Sequence, residues 1–92
     1  MTTRKITVLG RDNHGEAMRV AAGLTIYGHE VRIIFMNEPV SETKENTKQA
    51  ELLELADIIP GTTVSEMADE LPFLDSAALA QILNESDHII NI

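Results

Sequence analysis

Cysteine and tryptophan are absent from the 92 residues, and the aromatic side chains are one tyrosine and two phenylalanines. Without a thiol the chain has no thiolate nucleophile, no persulfide carrier, no zinc ribbon and no disulfide framework. Tyr27, Phe35 and Phe73 are too few to build a base-stacking platform. Lys and Arg stop before residue 50: all seven lie in residues 1–49 beside six acids, whereas residues 50–92 carry nine acids and no base. A net charge of −8 repels a phosphate backbone, so nucleic acid is not an expected partner. The acidity reads as a solvated surface, with a docking face for a basic partner as the alternative. Long apolar runs are also missing. After the basic start Met1-Thr2-Thr3-Arg4-Lys5, Ile6 to Leu9 is too short for a signal-peptide core, and no stretch approaches the roughly 20 apolar residues that span a bilayer. The expectation is a soluble, cytoplasmic protein with no membrane attachment.

At 43% hydrophobic and 24% charged residues, the composition is that of one small globular domain over residues 1–92. A domain this small has a thin stability margin, for which oligomerisation is a natural remedy. Ile6-Thr7-Val8-Leu9, stopped by Gly10, predicts a strand buried on both faces, and Val31 to Met36, closed by Asn37-Glu38-Pro39, predicts a second. Between them Ala17, Val20, Ala21 and Leu24 share a helix face, with Gly28 at the left-handed cap position. Two buried strands joined by a helical crossover make a right-handed unit with parallel strands, hence an α/β fold.

Ser41 to Ala56 is helical in composition, but Ser41 to Gln49 has no large apolar side chain, so only the half with Ala50, Leu53 and Ala56 has a face to bury. Ile58-Ile59, closed by Pro60-Gly61, predicts a brief third strand. Thr63 and Glu66 have the spacing of a capping box opening a short helix through Leu71, which Pro72 ends. Asp75 predicts the cap of a last helix carrying Ala78, Leu79, Ile82 and Leu83, followed by a strand from His88 to Ile92.

In open parallel sheets ligands bind beyond the carboxyl ends of the strands. There Gly10-Arg11-Asp12-Asn13-His14-Gly15 has the glycine spacing of a phosphate loop, but Glu16 and Ala17 replace the required Lys and Ser or Thr. Asp12 or Asn13 reads instead as a helix cap. Asn13, His14, Asn37, Thr62 and Thr63 are the candidate ligand-binding residues, led by His14 because imidazole titrates near neutrality. Glu38 follows the second strand without a catalytic partner, and Asp87-His88 lacks a third metal donor. No catalytic residue, metal or cofactor is assigned. A phosphate-receiver domain fits poorly, since Asp12 stands alone and the third strand ends in Ile59-Pro60 rather than Asp.

The opening Lys5-Ile6-Thr7-Val8-Leu9, the helix with Ala17 and Val20-Ala21-Ala22 ending in Tyr27-Gly28-His29-Glu30-Val31, the strand Ile33-Ile34-Phe35-Met36 before Val40, and the closing Leu83-Asn84-Glu85-Ser86-Asp87-His88-Ile89-Ile90 together resemble the DsrE/DsrF-like family of small sulfur-relay proteins. The resemblance implies a three-layer α/β/α sandwich on a parallel sheet of about four strands in the order 3-2-1-4. It also implies assembly into trimers, hexamers or mixed complexes, and a small pocket near Asn13 and His14. Active subunits of that family carry a persulfide on cysteine, which this chain lacks. The chain is also shorter than usual, with one strand fewer.

The expected role is therefore a non-catalytic binding or assembly protein, homo-oligomeric and accessory to intracellular sulfur relay. The alternative is a small-molecule-binding domain with its ligand over the five candidate residues. A hydrolase or lyase using His14 and Glu38 is a third, weaker possibility.

Overall fold

A computed structural model describes residues 4–41, 43–58 and 60–92. The elements in order are β1 (Lys5–Gly10), α1 (His14–Ile26), β2 (Glu30–Phe35), α2 (Lys44–Leu55), β3 (Gly61–Thr62), a one-turn 3-10 helix (Ser65–Met67), α3 (Ser76–Glu85) and β4 (His88–Asn91). All sheet pairings are parallel, in the order β3-β2-β1-β4. The α/β fold and the strand order are those expected.

Side-chain alternation assigns the helices to faces. Ile6 and Val8 of β1 lie beside Val31 and Ile33 of β2, and these residues pack with Ala17, Met18, Ala21, Leu53 and Ile58 in one core beneath α1 and α2. Thr7, Leu9 and Ile34 point the other way and are buried without joining that core; the Thr7 hydroxyl meets Ser86 at the end of α3. Two helices therefore cover one face and α3 covers the other.

The buried stripe of α1 is His14, Ala17, Met18, Ala21 and Ala22, rotated toward the amino-terminal turn from the face expected, with Val20 and Leu24 at its margin. Asn13 Oδ1 accepts from Glu16 N at 3.1 Å, making it the cap. The other end closes at Gly28, whose φ of +84° an L-side chain rarely adopts.

The second half of the chain departs from expectation in three places. α2 begins at Lys44, not Ser41, because Thr43 Oγ1 accepts from Asn46 N and caps it. The third strand is Gly61–Thr62 rather than Ile58-Ile59. Ile58 instead ends α2: Asp57 is left-handed at φ 58°, its N–H donates to Glu54 O, and the Ile58 N–H donates to Leu53 O. This is the hydrogen-bond pair that stops a helix at a left-handed residue. Ile59 lies outside the described residues.

The expected capping box also fails. Thr63 N donates to Phe35 O, and the Thr62 hydroxyl accepts from Val64 N, so the one helical turn that follows has no side-chain cap. Pro72 and Leu74 then flank β3, with Thr62 N donating to Pro72 O and Leu74 N donating to Thr62 O.

α3 is capped as expected, with Asp75 Oδ1 accepting from Ala78 N at 2.8 Å. No residue of α3 is fully buried, and Ala78, Leu79, Ile82 and Leu83 are half-buried. Asp75→Ala is expected to lower the unfolding free energy by about 1 kcal/mol in urea titrations. Asp75→Asn should retain most of that stability.

Candidate functional site

The carboxyl ends of β1, β2 and β3 meet at the Phe35-Met36 backbone. Met36 N donates to Gly10 O, Thr63 N and the Thr62 hydroxyl both donate to Phe35 O, and His14 Nε2 lies 3.2 Å from Met36 O. Gly10 permits the close approach: a Cβ there would meet Ala17 at 3.2 Å, Phe35 at 3.3 Å and the His14 ring at 3.4 Å.

His14 is 7% exposed, with its ring edge-on to Phe35 at a centroid distance of 5.4 Å. As a donor to Met36 O, Nε2 carries the ring proton. Thr62 is fully buried, its hydroxyl donating to Phe35 O and accepting from Val64 N. The Asn13 side chain is the helix cap, and Asn37, at φ 72°, donates through Nδ2 to Arg11 O at 3.2 Å. Thr63 is half-buried on a shallow recess between Met36 and Leu79. The fold thus gathers all five candidates along one edge, and the polar side chains of four of them bond to the protein itself.

Two further concavities lie beside this edge. A mostly apolar groove of about 310 Å³ opens between α2 and residues 60–71, over Met18, Phe35, Val40, Leu53, Met67 and Leu71, with Glu54 and Glu70 on it. It is formed by segments distant in sequence. A polar cleft of about 470 Å³ lies between the first turns of α1 and α2, lined by Asn13, Glu16, Arg19, Lys48 and Gln49. There the Arg19 guanidinium pairs with Glu16 and holds its carboxyl below the usual range.

Glu38 is exposed. Among the described residues no three His, Asp or Glu side chains gather to hold a metal ion, and no helix is long and apolar enough to cross a membrane. No family model, curated protein or solved structure matches the chain.

Proposed function

We propose that the chain is a non-catalytic binding and assembly protein of the DsrE-like kind, which associates with copies of itself and serves as an accessory subunit in intracellular sulfur relay. One observation carries the assembly part: four of the five candidate side chains at the carboxyl edge are already hydrogen-bonded within the protein, while large apolar side chains stand in solvent elsewhere. Ile26 is 84% exposed, Tyr27 69% and Leu55 83%. Because α1 and α2 each lead from the carboxyl edge back toward the next strand, their last turns carry these residues to the same end of the molecule. Large apolar groups exposed at one end of the molecule favour association. The absence of cysteine supports a non-catalytic role, and the link to sulfur relay rests on the sequence resemblance.

Native mass spectrometry of gently purified protein tests this reading. The expected spectrum shows an assembly above the monomer with no retained small molecule. A monomer would remove the assembly reading.

The groove favours a second reading, a binding site for a small apolar molecule, since pockets of a few hundred Å³ lined by apolar groups with a few polar ones are the usual form of such sites. A monomer carrying a defined adduct mass would favour it.

A further inference from the structure

The polar cleft and the apolar groove differ in what their charges do. In the cleft acids and bases stand together, Glu16 and Glu45 with Arg19 and Lys48, and the Arg19 guanidinium is already paired with Glu16. The groove has two charged side chains on it, Glu54 and Glu70, and no base. Among the described residues neither is in an ion pair, and residues 50–92 contain no Lys or Arg to neutralise them.

The uncharged polar groups of the groove are engaged within the protein. Thr47 Oγ1 donates to Thr43 O at 2.9 Å, and Asn46 Nδ2 donates to Ser41 O at 2.8 Å. The charged groups that remain are carboxylates, which accept hydrogen bonds and do not donate them. Met18, Phe35 and Leu53 on the floor are buried, whereas Glu54 and Glu70 are exposed. An entering molecule thus meets apolar side chains below and two anions at the solvent side.

We infer that the groove binds a small amphiphilic cation, an alkylammonium ion whose chain lies over Met18, Phe35 and Leu53 and whose head stands at Glu54 and Glu70. This names the ligand class of the groove described above and rests on the reading of it as a small-molecule site. Removing the chain from water supplies most of the affinity, and does so equally for any head group on the same chain. The head group then selects. A carboxylate is repelled by Glu54 and Glu70 in a chain of net charge −8, a hydroxyl leaves both acids to water, and an ammonium alone gains contacts of opposite charge. Those contacts are exposed to solvent, so the preference over a neutral head is modest. A ligand held at sub-millimolar affinity leaves during purification, so a bare assembly in native mass spectrometry is compatible with this site.

Titration with octylammonium, octanol and octanoate at neutral pH, followed through the methionine methyl signals by NMR, tests the inference. Met18 and Met67 line the groove and Met36 does not, so binding there should shift the first two and spare the third. For a ligand of this size a dissociation constant on the order of 0.3 mM is expected for octylammonium. Octanol should bind roughly fivefold more weakly, and octanoate roughly twentyfold or more. The double variant Glu54→Gln, Glu70→Gln should bind octylammonium no better than octanol, with octanol affinity unchanged as the check that the groove is intact. Glu51→Gln removes an exposed acid of the same helix that does not line the groove, and should change octylammonium affinity less than about twofold. If the three probes bind alike at Met18 and Met67, or if the double variant keeps the preference for octylammonium, the cation assignment is overturned while the groove remains a small-molecule site. If none of them shifts Met18 and Met67 by about 3 mM, the inference and the reading of the groove beneath it both fall.

Discussion

Leu53→Ala is expected to lower the unfolding free energy by about 3 kcal/mol, the largest loss from any single truncation in α2. Leu53 is the one fully buried residue of that helix, 2% exposed, and it packs in the core with Met18, Ile33 and Ile58. The same side chain helps floor the apolar groove, and its carbonyl accepts the Ile58 N–H that ends the helix. Truncation therefore removes transfer energy and leaves a cavity where α2 has no second anchor to close it. For a domain of this size the melting temperature should fall by roughly 15 °C. The control is two residues away: Leu55 is 83% exposed, and in the dilute monomer Leu55→Ala should change stability by less than about 0.5 kcal/mol. Equal effects at the two positions in urea unfolding would mean that α2 is not held as described.

That contrast also shows what the amino-acid pattern discloses and what it hides. β1 and the buried half of β2, Ile33 to Phe35, are legible because strands buried on both faces read as unbroken apolar runs, and the caps at Asn13 and Asp75 are legible because a side-chain oxygen is needed where helical N–H groups lack partners. The third strand is not. Ile58 and Ile59 have strand composition, but composition cannot reveal that Ile58 is taken by the Leu53 carbonyl to stop the preceding helix. The capping box misleads for a related reason: Thr63 has the right spacing to Glu66, yet its backbone is drawn to Phe35 O by the sheet, and the neighbouring hydroxyl of Thr62 turns the chain instead. In both cases a long-range hydrogen bond outranks a local preference. The groove lies further out of reach, because its walls come from α1, β2, α2 and residues 60–71 and share no local spacing. For His14 a signal was available: it stands at the head of the spacing shared by Ala17, Met18, Ala21 and Ala22, which marks a core face extending one turn earlier than the alanines alone suggest.

The position of His14 on that stripe leads to the second large effect, a loss of about 2 to 3 kcal/mol in His14→Ala. Two contributions are separable. The ring packs edge-on against Phe35 beneath Gly10, and an aromatic pair of this geometry adds about 1 kcal/mol beyond the area it buries. Nε2 bonds to Met36 O, and a neutral hydrogen bond contributes about 1 kcal/mol net. His14→Phe keeps the ring and loses only the bond. Met36 O still accepts from Glu38 N, so it is not stranded, and the cost should be near 1 kcal/mol. The ordering of the three proteins in a denaturant titration, wild type above Phe above Ala, is what a packed core imidazole requires. A histidine held for a ligand would behave otherwise: both variants would unfold within about 0.5 kcal/mol of wild type, and the loss would fall on binding instead. Since the imidazole joins the first turn of α1 to the end of β2, removing it should also loosen the carboxyl edge while leaving the last turns of α1 and α2, at the opposite end of the sheet, in place. Self-association that persists in His14→Ala at temperatures where the monomer remains folded would separate the two surfaces and place the assembly function away from this edge.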